Sequence, residues 1–242
     1  MAVIAIIPAR YASTRLPGKP LLAETGKPLI QHVVETVRKA RSVERIVVAT
    51  DDERIARAVR DFGAEAVMTS ANCRTGTDRL AEAASMLGLA NDDVVVNVQG
   101  DEPEIPPECV DLLVETLQAG DAPMATLATT LTEPEAGDAN KVKVVFDESG
   151  RAMYFSRAKI PHDRDGTGGV DYFLHLGVYA YRAGFLKIFA ALGSTPAEQA
   201  EKLEQLRALE HGHAIAVAIV DYEGAGIDTP EDYAAFVARM KH

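Results

Sequence analysis

The sequence predicts an α/β fold: a mostly parallel sheet with helices on both faces, and a smaller mixed or antiparallel subdomain. Two observations carry the sheet. Short runs rich in Val and Ile recur between segments of helical spacing, and those runs are continuous rather than alternating, as strands buried on both faces must be. The third observation, a change of rhythm near Thr129, carries the subdomain.

Taken in order, Val3 to Ile7 reads as the first strand, and Leu29 to Ala40 follows with Ile30, Val33, Val34 and Val37 on one helical face. Ile46 to Ala49 is the next strand, and Glu53 to Phe62 the next helix, with Ile55, Val59 and Phe62 turned inward. Val94 to Val98 and Met124 to Leu127 complete the series. Strands alternating with helices build right-handed βαβ units, a Rossmann-like arrangement. Beyond Thr129 the strand-like stretches Lys141 to Phe146, Ala152 to Ser156 and His175 to Tyr181 are joined by the polar, Gly-rich loop Asp163 to Asp171. They read as a subdomain over about residues 129–181, inserted at a sheet edge of one domain spanning 1–242, where it is placed to pair two copies of the chain. Glu198 to Glu210 reads as one helix closed by Gly212, and Ile215 to Val220 as the returning strand.

Composition narrows the function. With 242 residues and 47% hydrophobic content, the chain can bury a core without disulfide or structural metal. Cys73 and Cys109 show no CxxC spacing, which suits a reducing cytoplasm. The first apolar run meets Pro8 and Arg10 too soon for a signal or spanning segment, and no other run reaches membrane length. A net charge of -11 speaks against a nucleic-acid surface. In so acidic a chain, a local cluster of cations marks where an anionic substrate is handled.

That cluster is the loop after the first strand, IPARYASTRLPGKPL over Ile7 to Leu21. Loops at the carboxyl ends of parallel strands bind ligands. Neither GxGxxG nor GxxxxGK[ST] is present: Pro28 follows Gly26-Lys27, and Leu21 stands where a Walker motif begins with Gly. A loop remains that can wrap a triphosphate with backbone N–H groups, Ser13 and the cations Arg10, Arg15 and Lys19. Lys19 is expected to be an exposed loop charge whose loss costs the fold little. In VVVNVQGD, Gly100 allows close backbone approach and Asp101 ends a central strand as a hard-cation ligand, or else caps the turn. Thr229-Pro230-Glu231 is a helix start with Thr229 as cap, which leaves Asp228 for a second carboxylate role or a structural one.

The full loop, with Gly76-Thr77-Asp78-Arg79, Asn97 to Pro103, Tyr154 to Arg157, His175-Leu176-Gly177 and Gly226 to Asp232, resembles the CMP-Kdo synthetases, the 3-deoxy-manno-octulosonate (Kdo) cytidylyltransferases. The loop differs from that of the related CMP-sialic acid synthetases. The resemblance implies a cytoplasmic, homodimeric enzyme of lipopolysaccharide biosynthesis that joins CMP from CTP to Kdo with Mg²⁺. It implies Asp101 and Asp228 as metal ligands, Lys19 and Arg15 on the phosphates, and Arg10, Ser13, Gly76 and Thr77 at the nucleotide. Gln99, Arg157, His175, Tyr179, Glu204 and Gln205 are the implied sugar contacts. Without the resemblance His175 reads as an ordinary strand histidine, and Glu204 and Gln205 as solvated. A CMP-sialic acid synthetase, a metal-dependent glycosyltransferase and a non-catalytic nucleotide-binding module are the rival readings.

Overall fold

The computed structural model describes residues 1–12, 15–166, 168–222, 224 and 226–241. In chain order these form β1 (Val3–Ala9), α1 (Leu29–Val37), β2 (Arg45–Thr50), α2 (Glu53–Asp61), β3 (Glu65–Met68), α3 (Gly76–Met86), β4 (Val94–Asn97), α4 (Pro107–Ala119) and β5 (Met124–Leu131). There follow α5 (Glu133–Ala136), β6 (Lys143–Phe146), β7 (Ala152–Ser156), β8 (Tyr172–Arg182), α6 (Ala183–Ala191), α7 (Pro196–Glu201), α8 (Gln205–Glu210), β9 (Ile215–Ile219) and α9 (Pro230–Met240). No helix among the described residues is long and apolar enough to cross a membrane.

Two compact units divide the chain, the first formed by residues 1–111, 182–190 and 224–242. In it β3, β2, β1 and β4 lie side by side, and every pairing is parallel. β1 is central, with Ile6 opposite Val47 on one side and Asn97 on the other, and its Val3 to Ile7 run is buried, as continuous apolar strands require. Side-chain caps start the helices: Asp52 accepts from Arg54 N, Thr75 from Asp78 N, and Thr229 from Asp232 N ahead of Pro230. From α9, Tyr233, Phe236 and Val237 pack with Leu29 and Ile227, and Leu16 and Leu22 lean on this cluster. The loop after β1 is thereby held at its far end by the C-terminal helix.

The second unit comprises residues 112–181 and 191–223. Here β5 pairs antiparallel with β8 and parallel with β9, and β6 pairs antiparallel with β7. β5 runs on to Leu131 and β8 starts at Tyr172, so both are longer than the apolar runs alone suggested. Lys143 opens β6 ahead of Val144 and Val145 and is fully buried. Its ammonium donates to the carbonyls of Asp138 (2.8 Å), Lys141 (2.6 Å) and Arg157 (2.7 Å). A buried cation demands such partners, and in meeting that demand Lys143 ties the loop before β6 to the end of β7.

One expected element differs. The single helix over Glu198 to Glu210 is two, broken at Lys202, which takes a left-handed φ of 57°. The Glu198 carboxylate accepts from Thr195 N and Pro196 opens the first turn, so the first helix begins earlier than expected. The buried Arg207 then reaches back from α8 to the Glu198 carboxylate. This pair folds α8 against α7, while the Leu203, Leu206 and Leu209 spacing runs across the break and hides it.

Candidate active site

β1 and β4 are parallel neighbours, so the segments leaving Ala9 and Asn97 emerge side by side at the carboxyl end of the sheet. They approach so closely that a Cβ on Gly100 would lie 2.8 Å from the Pro8 carbonyl oxygen. Only glycine fits. Between them opens a cleft of about 320 Å³, lined by Arg10, Arg15, Lys19, Gln99, Gly100 and Asp101 among others.

The loop after β1 closes on itself where Gly18 N donates to Tyr11 O at 3.0 Å. Gly18 takes a φ of 69°, and the Tyr11 ring covers it. Arg54, held by the Asp52 carboxylate, lies 3.4 Å over the same ring. The 3-10 turn Lys19–Leu21 follows and aims Lys19 into the cleft. Its ammonium donates to Asp101 Oδ2 at 2.6 Å, Ile227 O at 2.7 Å and Asp228 Oδ1 at 3.3 Å. The side chain is only 13% exposed. Lys19 is therefore not the exposed loop charge expected from sequence, because partners distant in the chain enclose it.

Arg15 Nη2 reaches Asp228 Oδ2 at 3.1 Å and stays 63% exposed. Asp101 and Asp228 thus meet at one ammonium, and Ile227 N donates to Asp101 O at 2.9 Å, which stitches the two segments together. With Thr229 as the cap of α9, the Asp228 carboxylate is left for these cations. Arg10 behaves differently: its guanidinium donates to the carbonyls of Cys73 (2.7 Å), Thr75 (2.9 Å) and Arg74 (3.3 Å). It fixes the segment that leads into Gly76 and Thr77 at the N-terminus of α3, where N–H groups and the helix dipole favour anions. Ser13 lies outside the described residues.

Arg157, His175, Tyr179, Glu204 and Gln205 all belong to the second unit. His175 Nε2 lies 3.1 Å from Thr126 Oγ1, with the ring edge-on to Phe155 and tilted against Tyr179 at centroid separations of 4.9 and 5.4 Å. Desolvation pushes the His175 pKa down to about 3, so the ring is neutral. Tyr179 is pushed up by burial and, secondarily, by the Glu204 carboxylate. Arg157 donates Nε to Glu201 O at 2.8 Å and Nη1 to Ala139 O at 3.1 Å, while Glu201 also receives Arg157 N and Ser156 Oγ. Gln205 is buried rather than solvated, and its Nε2 has no partner among the described residues. Gln99 belongs instead to the first unit, in the cleft with Asp101.

Sequence reasoning did not single out Lys143, Thr126 or Glu201. A lysine flanked by Val142 and Val144 was a signal for the first. Thr126 and Glu201 gave none, since the first depends on which strands meet and the second on where α7 meets the end of β7.

Residues 4–215 match the family described as cytidylyltransferase. The chain is 52% identical over 244 residues to a 3-deoxy-manno-octulosonate cytidylyltransferase of Desulfatibacillum aliphaticivorans, covering 100% of this chain and 99% of the relative. It is 49% identical over 243 residues to an 8-amino-3,8-dideoxy-manno-octulosonate cytidylyltransferase of Shewanella pealeana, at 99% of each. Among solved structures, a CMP:2-keto-3-deoxy-manno-octonic acid synthetase complexed with CTP superposes with a TM-score of 0.94 at 40% identity, over 100% of this chain and 99% of that one.

The neutral His175 predicts an acid sensitivity with a definite sign. The unfolded ring binds a proton below its ordinary value of 6.5, and the folded ring only near 3. Between these values the unfolded state holds the extra proton, so stability falls as pH falls, by up to about 1.4 kcal/mol per pH unit. Urea unfolding of the parent and of His175→Phe at a series of pH values checks this, the parent losing stability faster as the medium is acidified through that window.

Proposed function

Because the chain belongs to the cytidylyltransferase family, and within it to the 3-deoxy-manno-octulosonate cytidylyltransferases, we propose that it joins CMP from CTP to Kdo with release of pyrophosphate. The anomeric hydroxyl of the sugar attacks the α-phosphorus; the new O–P bond forms as the bond to the bridging oxygen of the β-phosphate breaks. The observation that carries the chemistry is the meeting of Asp101 and Asp228 at Lys19, in the cleft where β1 and β4 end. Group transfer of this kind depends on positioning and charge neutralisation rather than on a nucleophilic side chain. Lys19 and Arg15 supply cations to the phosphates, Arg10 shapes the entry to α3, and Gly76 and Thr77 offer N–H groups to the nucleotide.

Magnesium fits this donor set. Two hard carboxylates share one site, and no cluster of three acidic, His or Cys ligands occurs among the described residues, so a substrate's phosphate oxygens would complete the shell, as Mg²⁺ prefers. When bound, the ion neutralises charge developing on the phosphates and sharpens the acidity of the attacking hydroxyl. Asp101 and Asp228 would hold it, while Lys19 keeps the carboxylates together.

For the sugar, Arg157 offers its Nη2 end to a carboxylate, and Gln99, His175, Tyr179, Glu204 and Gln205 supply polar contacts to hydroxyls. The buried, unpartnered Nε2 of Gln205 supports this reading, since buried donors of that kind are costly unless a ligand meets them. The similarity to 8-amino enzymes favours a second acceptor, the 8-amino analogue of Kdo. Two buried free thiols suit the cytoplasm, where activated sugars for lipopolysaccharide are made. The segment 129–181 is the proposed homodimer contact, because β7 pairs with β6 alone among the described strands and presents exposed Met153 and Tyr154.

Pyrophosphate release from CTP should be driven by Kdo or its 8-amino analogue and hardly at all by sialic acid; equal use of sialic acid would overturn the assignment. Asp101→Asn keeps the shape of the side chain, and turnover should drop by about 100-fold or more, the scale of a lost electrostatic contact to a transition state. Unchanged turnover at saturating magnesium and substrates removes Asp101 from the ion's ligands. Sedimentation at micromolar concentration should return the mass of two chains, and a fully active monomer rules out the dimer.

A further inference from the structure

The β5–β8 pairing slips between Thr126 and Leu127: Thr126 faces Tyr179, and the next residue, Leu127, faces Leu176. The extra residues of β8, Gly177 and Val178, form a bulge that begins two residues after His175, a device that re-aims a side chain. The fully buried Thr126 sits at this slip and closes it, its hydroxyl lying 2.8 Å from Val178 O and 3.1 Å from Leu176 O. The same oxygen is 3.1 Å from His175 Nε2.

These three contacts fix a proton. A hydroxyl has one hydrogen and accepting lone pairs. The carbonyls can only accept, so the Thr126 hydrogen points at them, and towards His175 the oxygen can only accept. Nε2 must then carry the imidazole hydrogen. A neutral ring protonated at Nε2 has a bare Nδ1, which among the described residues makes no hydrogen bond.

We propose that Thr126 is a positioning residue for sugar recognition: it sets the Nε2–H tautomer of His175, so that Nδ1 receives a hydrogen bond from a hydroxyl or amine donor of the acceptor sugar. The chemical consequence is selectivity for a donor at that position, since an ether or fluorine there brings no hydrogen. Being uncharged, the ring also does not repel a protonated amine on the sugar. The inference rests on the reading of His175 as a sugar contact, but the tautomer itself does not.

Two substitutions and one spectrum separate these layers. Thr126→Val keeps the shape and removes the hydroxyl; Thr126→Ser restores it. In ¹⁵N-labelled protein at neutral pH, the His175 ring, identified by its loss in His175→Ala, should show a protonated Nε2 and an unprotonated Nδ1 in the parent and in Thr126→Ser. A protonated Nδ1 or a charged ring in the parent overturns the proposal. Thr126→Val should lose the single-tautomer signature and reduce kcat/KM for the sugar by about tenfold, the scale of one unmet buried hydrogen bond, with KM for CTP unchanged. Thr126→Ser should recover most of that loss. If Thr126→Val melts at the parent temperature and keeps both the tautomer and full sugar use, Thr126 does not set the ring. If the tautomer is as stated but His175→Ala uses the sugar like the parent, the His175 contact falls while the proton assignment stands.

Discussion

The first unit depends on one ammonium group. Lys19 Nζ gathers a carboxylate from the turn after β4, and a carbonyl and a second carboxylate from the segment before α9. Asp101 and Asp228 would repel one another without a cation between them, and Lys19 would be stranded without them. With side chains 13% and 29% exposed, the Lys19–Asp101 pair lies between the surface regime of about 0–1 kcal/mol and the buried one, where removing a partner costs about 3–5 kcal/mol. The same contact is structural and electrostatic at once: it holds two acidic groups close enough to share a ligand and sets the cation that faces the cleft.

The two groups of polar residues solve opposite problems. In the first unit charge is concentrated, with Arg15 paired to Asp228 and Lys19 to both Asp228 and Asp101. In the second, charge is suppressed or tied down: His175 is neutral, Tyr179 keeps its proton, Lys143 is enclosed by carbonyls, and Arg157 is anchored through Glu201. Under the proposed function the first environment suits a triphosphate, and the second suits a sugar rich in hydroxyls, because oriented neutral donors and acceptors discriminate by what they leave unmet.

How much of this was legible in the sequence depends on the range of the interaction. The strands were, because Val3 to Ile7 and Val94 to Val98 pass the local test for burial on both faces; so was the cap of α9, because Thr229 and Pro230 are adjacent. The loop Ile7 to Leu21 was legible as a cation cluster, and the glycine at 100 as a place of close approach. The burial of Lys19 was not, since its partners come from residues 101, 227 and 228. The break at Lys202 was hidden by an apolar spacing that continues across it, and was decided by the pairing of Arg207 with Glu198. The Arg10 contacts were equally invisible, because the carbonyls it holds lie in the segment before α3.

The order in which the ribosome makes these pieces gives the Lys19 junction a further meaning. The cation leaves the exit tunnel 209 residues ahead of Asp228, and α9 emerges later still. The whole of the second unit lies in sequence between the first and last segments of the first, so a nascent chain can complete the second while the first still lacks its closing segment. Domains tend to fold as they emerge. Here the Lys19 junction must wait until the segment before α9 has been made, because two of its three contacts, Ile227 O and Asp228 Oδ1, come from that segment. The pairing of the two carboxylates at Lys19 is thus completed late in synthesis, and a polypeptide stalled or truncated before Asp228 would carry the β3–β2–β1–β4 strands without the second carboxylate.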